Sequence, residues 1–193
     1  MGALHLELMR DPARAFPPVA DPESLRSARI WHCKYASLAR LGELRNLAAL
    51  VIAGLPDASL DFLGGLEKLR FLKILHLPKI SDISALSGLR QLTSLSLATL
   101  PSWDASGKTN SIASLEPLAT LPELAHLELF GICTPDKSLA ALEQCKRLRT
   151  ARIAQYPQAE VHRFFASTDV IDQFNPEPSP AEFPVFRDNI DPR

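Results

Sequence analysis

The chain has 193 residues, enough for one domain with a sizeable hydrophobic core. Apolar residues make up 46% and charged residues 22%, a composition that excludes a wholly disordered chain. The formal net charge of −1 argues against bulk electrostatic attraction to polyanions, so we expect neither nucleic acid nor a membrane surface as a partner.

The cysteines and the N-terminus predict a cytoplasmic protein. Cys33, Cys133 and Cys145 are widely spaced and form no Cys-x-x-Cys pair, so neither a disulfide framework nor a zinc site is expected. Residues 1–6 lack the apolar region of a signal peptide. The longest apolar stretch, residues 47–55, is about half as long as a membrane-spanning helix.

Residues 1–24 are predicted to form an N-terminal capping segment. Leu4, Leu6 and Leu8 alternate with other residues, as in a short strand, and a proline-rich linker follows them. Repeat proteins need such a segment, because their first repeat would otherwise expose the open end of the core.

The pattern Leu-x-x-Leu-x-Leu then occurs six times, with Ala or Ile replacing some leucines. Successive occurrences begin 22, 25, 20, 32 and 24 residues apart, and most of these intervals match the length of a leucine-rich repeat. The pattern therefore predicts six repeats over residues 25–156, each with one short strand. The predicted repeats begin at Leu25, Leu47, Leu72, Leu92, Leu124 and Leu148.

Between these strands, apolar residues recur at every third position. Leu38, Leu41, Leu44 and Leu47 form one such series, and similar series precede the later strands. A period of three favours a 3₁₀ turn or a short, tight helix. Each repeat is thus predicted as a strand followed by a short helical return, and stacked repeats bury the leucines in one continuous core.

On these repeats, and on segments such as residues 83–97, the chain resembles leucine-rich repeat proteins, most closely the short-repeat bacterial type seen in internalins. The resemblance implies an α/β fold. This fold is a right-handed solenoid with a parallel β-sheet on its concave face and short 3₁₀ or α returns on its convex face. It also implies a bacterial binding scaffold.

Two segments depart from the regular repeat. Residues 102–111 lengthen the fourth interval and form an insertion, and loops of this kind often carry function. Residues 157–193 are predicted to contain a capping helix over residues 158–167, followed by a proline-rich acidic tail. The apolar residues of this tail predict that it docks on the body, near the cationic end formed by Lys146, Arg147, Arg149 and Arg152.

The residues between the strand leucines are expected to line the concave face, because side chains alternate along a strand. In the third predicted strand these residues are Ile74, His76 and Pro78. Small apolar residues in the centre and aromatic residues at either side predict a trough that binds a protein partner. The same face could instead be an unused surface covered by loops or by the tail. The candidate partner-binding residues are Arg29, Trp31, Val51, His76, Ala98, Trp103, Glu128 and Phe130.

The sequence predicts no catalytic, metal or cofactor site. His76 and Glu128 would lie two strands, or about 10 Å, apart, too far for one metal ion. Glu128 beside Arg152 is more simply a cross-strand ion pair. Gly107-Lys108-Thr109 resembles the end of a phosphate-binding loop, but its first glycine would fall at Ser102.

We therefore expect a non-enzymatic protein-interaction scaffold that uses the concave face and the 102–111 loop. Two alternatives stay open. One is an exported bacterial effector that engages a host protein. The other is an enzyme with its site in the insertion, for which no convergent polar cluster is visible.

Overall fold

The computed structural model describes residues 4–173, in which eight parallel strands form one sheet in the order β1-β2-β3-β4-β5-β7-β9-β10. Two further strands, β6 and β8, pair with each other. The strands are β1 Leu4–Met9, β2 Leu25–Trp31, β3 Ala49–Ala53, β4 Phe71–Leu75, β5 Ser94–Ala98, β6 Asn110–Ser111, β7 His126–Phe130, β8 Ile132–Cys133, β9 Thr150–Ala154 and β10 Ile171–Asp172.

Short helical segments return the chain from one strand to the next on the opposite side of the core. The three α-helices are α1 Pro101–Ala105, α2 Glu116–Ala119 and α3 Gln158–Ser167. The 3₁₀ segments are Pro22–Ser24, Ala39–Glu43, Asp61–Gly65, Ser84–Gly88 and Ala140–Gln144.

The apolar residues that recur at every third position are joined to one another by backbone hydrogen bonds. The amide of Leu41 donates to the carbonyl of Leu38 at 2.9 Å, and the amide of Leu44 donates to Leu41 at 3.0 Å. Leu47 donates to Leu44 in the same way, and the later returns repeat this pattern. An i to i+3 bond defines the 3₁₀ turn, so each of these leucines both closes a turn and fills the core.

The core between the sheet and the returns is a single apolar column. Strand residues such as Leu50, Leu72 and Leu95 are fully buried, as are return residues such as Leu41 and Leu63. Burying a leucine side chain stabilises a fold by about 1.5–3 kcal/mol, so the stacked leucines are the main stabilising feature of the repeats.

The register of strand β4 differs from the register predicted for the third repeat. The third repeat begins at Leu69 rather than Leu72, because Leu72 pairs with Leu50 of β3 and Ile74 pairs with Ile52. Both frames satisfy Leu-x-x-Leu-x-Leu, since leucines stand at 69, 72 and 75. The prediction that Ile74, His76 and Pro78 face the concave side is therefore wrong, and Ile74 is fully buried in the core.

The two ends of the repeats are covered by the segments around β1 and α3. Strand β1 pairs in parallel with β2, and the following chain places Phe16 edge-on against Tyr35 at a centroid distance of 5.4 Å. At the other end Phe164 of α3 is fully buried, and Val161 and Phe165 pack partly buried on the core. The tail predicted to dock on the body begins at Asp169. Its residues Ile171–Asp172 pair with β9 as strand β10, where the amide of Ile171 donates to the carbonyl of Arg149 at 2.9 Å, and residues 174–193 lie outside the described residues.

The chain turns sharply as it leaves most of the strands. The residue after the strand has a positive φ at Arg10, His32, Gly54, His76, Gly131 and Gln155. Non-glycine residues rarely adopt this left-handed conformation. Among the described strands of the large sheet, β5 and the last strand, β10, lack this turn, and the insertion follows β5.

Two neighbouring returns approach each other closely at Gly65. A Cβ atom at Gly65 would lie 2.2 Å from the carbonyl oxygen of Gly42, whereas a Cβ at Gly64 would meet no atom within 4 Å. We expect Gly65→Ala to reduce the free energy of unfolding by about 1–3 kcal/mol, because the backbone of the neighbouring return must shift. Gly64→Ala is the matched control and is expected to change stability by less than about 0.5 kcal/mol. Thermal or denaturant unfolding of both variants tests this expectation, and equal stabilities would contradict it.

The stability of the fold is expected to depend on pH through Glu160 in α3. Its carboxylate accepts hydrogen bonds from Arg163 and from the backbone amide of Leu139, each at 2.7 Å, and these contacts lower the pKa of Glu160 from 4.5 to about 2. Because the folded-state pKa is depressed, the contacts stabilise the fold above pH 4.5 and this stabilisation is lost as the pH falls towards 2. Melting temperatures measured between pH 7 and 2 should therefore fall less in Glu160→Gln than in the unmodified protein, with Glu67→Gln as an exposed control.

Candidate functional site

The concave face consists of three lateral rows of side chains that cross the sheet. Row A is Ser27, Ala49, Phe71, Ser94, His126 and Thr150. Row B is Arg29, Val51, Lys73, Ser96, Glu128 and Arg152. Row C is Trp31, Ala53, Leu75, Ala98, Phe130 and Ala154. Six of the eight predicted partner-binding residues lie in these rows, and His76 and Trp103 lie elsewhere.

A polar cluster covers the β1 end of the concave face. The guanidinium of Arg29 lies 3.5 Å from the carboxylate of Glu7 and 4.6 Å from the centre of the Trp31 ring. His5 is hydrogen-bonded to Glu7 at 2.9 Å and to Ser27 at 2.7 Å. Arg29 is only 5% exposed, so its charge is held by the carboxylate and the aromatic ring rather than by water.

A second polar cluster lies across β5, β7 and β9. The Ser96 hydroxyl donates to the Glu128 carboxylate at 2.5 Å, and the Arg152 guanidinium lies 3.5 Å from the same carboxylate. This is the cross-strand ion pair expected from the sequence. Arg152 also lies 5.1 Å from the centre of the Phe130 ring. Both clusters therefore place an arginine between a carboxylate and an aromatic side chain of row C.

The centre of the face is apolar. Ala49, Val51 and Phe71 form a buried cluster separate from the main core, and Trp31 packs against it. In row C, Ala53 and Ala98 are small and buried, whereas Leu75 is half-buried. A surface of small residues lets another backbone approach the sheet closely, and the flanking aromatic rings offer anchors for a partner.

Lys73 is the charged residue within this apolar centre. It is half-buried in row B between Val51 and Ser96, and it has no hydrogen-bond or ion-pair partner within residues 4–173. By contrast, Arg29 and Arg152 in the same row each lie beside a carboxylate. An acidic group on a bound molecule would therefore find an available cation at Lys73.

The insertion meets the concave face along the edge where the strands end. Helix α1 places Trp103 edge-on against His76, with ring centroids 5.1 Å apart. His76 follows β4 with a φ of +65°, which turns the residue away from row B. His32, at the same position after β2, packs in the same way on Trp31 at 5.4 Å. Two tryptophan–histidine pairs thus border row C.

The imidazole of His76 is held in an apolar environment. Its Nδ1 atom is buried and has no hydrogen-bond partner among the described residues. Burial lowers the pKa of His76, and the nearby His32 lowers it further. The neutral ring is therefore favoured, and this is the form that packs on an indole without the cost of burying a charge.

The far end of the insertion is anchored by Asn110. Its side-chain amide donates to the carbonyl of Ile80 at 2.8 Å, and Asn110 itself is buried. Strand β6 then pairs with β8, which restores the path of the repeats. Trp103 is thus carried by a loop that is fixed at both ends.

The described part of the chain bears on two kinds of chemistry, metal binding and reactive thiols. Within residues 4–173, no three His, Cys, Asp or Glu side chains are grouped closely enough to hold a metal ion. Burial raises the pKa of the Cys145 thiol to about 11, which disfavours a reactive thiolate. No helix in the described residues is long and apolar enough to cross a membrane.

The sequence prediction missed Glu7, Phe71, Lys73 and Leu75 as concave-face residues. The last three were missed because of the register of β4. Glu7 was missed because β1 was predicted only as part of a cap, although its alternating leucines were the signal of a sheet strand.

The packing of Trp103 on His76 predicts that the pKa of His76 changes when Trp103 is replaced. Trp103→Ala uncovers the imidazole, so the pKa of His76 is expected to rise towards its ordinary value of 6.5, because burial is the main cause of its lowering. An NMR titration of the histidine side chains measures this change. The pKa of His126, which is lowered by its own burial and by Arg149, should stay constant as an internal control. A constant pKa of His76 would show that Trp103 does not shield it.

Comparisons with known proteins identify the fold to which this architecture belongs. No protein-family profile and no curated protein sequence matches the chain. Among solved structures, internalin C2 of Listeria monocytogenes matches with a TM-score of 0.50 and 20% identity, over 75% of this chain and 68% of the internalin chain. An internalin F of the same organism matches with a TM-score of 0.53 and 16% identity, over 78% of this chain and 48% of the internalin chain. The chain thus spans about half the length of that internalin F chain. These likenesses confirm the predicted fold: the protein is a leucine-rich repeat solenoid similar to that of bacterial internalins.

Proposed function

We propose that the protein is a non-enzymatic scaffold that binds another protein through its concave face and the insertion around Trp103. The observation that carries this proposal is row C, where Ala53 and Ala98 lie between the half-buried rings of Trp31 and Phe130. Fully buried aromatic anchors contribute about 2 kcal/mol or more each to protein association, so these rings could supply much of the binding energy.

The two polar clusters support the proposal because they fix the anchors before a partner arrives. Arg29 and Arg152 lie over Trp31 and Phe130 and are themselves beside Glu7 and Glu128. Side chains that are already ordered lose less conformational entropy on binding, which favours affinity.

The state of the thiols supports a bacterial cytoplasmic location as part of this proposal. Cys33, Cys133 and Cys145 are all free, and the last two are buried. Free thiols are typical of reducing compartments. The Sγ atoms of Cys33 and Cys133 lie 3.4 and 3.3 Å from the backbone carbonyl oxygens of Leu8 and Gln155, an arrangement consistent with structural thiols.

Ala98→Arg tests the proposed binding face. Ala98 is 7% exposed on the floor of row C, so an arginine there would project over the surface that a partner must approach. We expect capture of the partner by the tagged 193-residue protein from lysate of the source cell to fall at least ten-fold.

Ala39→Arg is the matched control, because Ala39 is exposed in a return on the opposite side of the core. It should leave capture unchanged, and melting curves should show that both variants fold. A partner that binds the Ala98→Arg variant as well as the unmodified protein would contradict the proposed face.

A further inference from the structure

Positive charge is concentrated along the edge at which the chain enters the strands of the sheet. We define the entry edge as the four residues that precede row A in β2, β3, β4, β5, β7 and β9. These segments are residues 23–26, 45–48, 67–70, 90–93, 122–125 and 146–149. They contain eight cationic and three acidic residues. The cations, all of them exposed, are Arg26, Arg45, Lys68, Arg70, Arg90, Lys146, Arg147 and Arg149.

The residues of the entry edge are aligned from one repeat to the next. Directly before row A, the amide of Arg70 donates to the carbonyl of Ala48, and the amide of Thr93 donates to the carbonyl of Arg70, each at 2.9 Å. The amide of Arg149 donates to Ala125 in the same way. The entry edge therefore continues the register of the sheet across five strand spacings, or about 24 Å. An extended segment of about seven residues would cover this length.

The cations at the centre of the entry edge are held by uncharged acceptors. Lys68 donates to the side-chain oxygen of Asn46, and Arg90 donates to the backbone carbonyl of Thr120 at 3.5 Å. Glu67 lies in the same segment as Lys68, but it is exposed and forms no ion pair with the described residues. The charges of Lys68 and Arg90 are therefore available to carboxylates of another molecule.

The opposite side of the core has the reverse charge. The five returns between β2 and β9 carry four acidic residues and one arginine. The net charge of −1 for the whole chain therefore does not describe either surface. An acidic partner would be attracted to the entry edge and repelled by the returns, and this difference would orient it as it approaches.

The entry edge borders the proposed binding face. The pKa of His126 in row A is lowered by burial and by the nearby guanidinium of Arg149. On β4 the positive charge continues from the edge to Lys73 in row B, which has no hydrogen-bond or ion-pair partner within residues 4–173. A partner that covers the concave face would therefore meet cations on one side and the apolar surface of row C on the other.

Among polyanions, an acidic protein segment suits the entry edge better than a nucleic acid does. The six segments contain no aromatic residue, whereas proteins that bind single strands stack the bases on aromatic side chains. Glu23, Glu67 and Glu123 are distributed along the edge and would repel a continuous phosphate backbone. A protein segment can instead place its carboxylates opposite the arginines, whose guanidinium groups bind a carboxylate through two hydrogen bonds.

We propose that the entry edge binds an acidic segment of the protein partner while an apolar part of the same partner lies on row C. The inference rests on the proposed function, because it takes the concave face as the binding surface. It adds the orientation of the complex. The acidic side of the partner faces the amino ends of the strands, and its apolar side faces the insertion.

A fluorescein-labelled oligoglutamate peptide of about eight residues is the probe for the entry edge, with fluorescence anisotropy as the measurement. We expect this peptide to bind the 193-residue protein at low salt and to dissociate as the salt concentration rises. The double variant Lys68→Glu/Arg90→Glu should raise the Kd at least ten-fold, because it replaces two available cations at the centre of the edge with anions. A peptide that does not bind the unmodified protein would overturn the proposal.

Lys34→Glu/Lys79→Glu is the matched control, because Lys34 and Lys79 are exposed on the opposite edge of the sheet, after β2 and β4. It changes the net charge by the same amount and should change the Kd less than two-fold. Melting curves should show that both double variants fold. An equal rise in Kd in the two variants would overturn the proposal, since net charge alone would then explain the binding.

Two other occupants of the entry edge give different results. A labelled single-stranded DNA of the same length that binds more tightly than the peptide, and is weakened by Lys68→Glu/Arg90→Glu, would overturn the proposal in favour of a nucleic acid. Sedimentation detects the second occupant, another copy of the chain with its acidic returns on the edge. Self-association that disappears in Lys68→Glu/Arg90→Glu would overturn the proposal in favour of that copy.

Partner capture separates this inference from the proposed function. If the entry edge contacts the partner, Lys68→Glu/Arg90→Glu should reduce capture at least ten-fold and Lys34→Glu/Lys79→Glu should leave it unchanged. Capture that falls in Ala98→Arg but not in Lys68→Glu/Arg90→Glu would support the proposed function and overturn this inference. Capture that falls in Lys68→Glu/Arg90→Glu but not in Ala98→Arg would support binding at the entry edge and contradict the concave face.

Discussion

The structure depends on one repeated backbone hydrogen bond, in which an amide donates to the carbonyl three residues earlier. In the first return these bonds join Leu38, Leu41, Leu44 and Leu47. Since every bonded residue is also a core residue, the spacing that closes the turn also fixes which side chains enter the core. The length of each return is thereby set, and with it the lateral alignment of the strands that form the concave face.

The fold could be predicted from the sequence because its stabilising pattern is local and repeated. The same spacing of leucines recurs around strands β2, β3, β5, β7 and β9. Helix α3 could be predicted for a similar reason, because Val161, Phe164 and Phe165 have helical spacing after Pro157.

The register of β4 could not be predicted because the local pattern is degenerate there. Leu69, Leu72 and Leu75 continue the period of the return into the strand, so the motif fits in two frames. Lateral pairing decides between them: only the frame beginning at Leu69 sets Lys73 beside Val51 and Ser96. The contact of His76 with Trp103 was equally out of reach, because it depends on the path of an insertion whose sequence has no repeat.

The hydrogen bond from the Asn110 side chain to the carbonyl of Ile80 closes the insertion into a loop. The length of this loop can therefore vary without a change in the repeats. A residue added within a return must be accommodated between packed core leucines, whereas a residue added between Pro101 and Asn110 only enlarges a closed loop. Doubling the length of such a loop costs about 0.6 kcal/mol in closure entropy. This part of the molecule is therefore where new binding specificity can be acquired by insertion, with the stacked frame beneath it left intact.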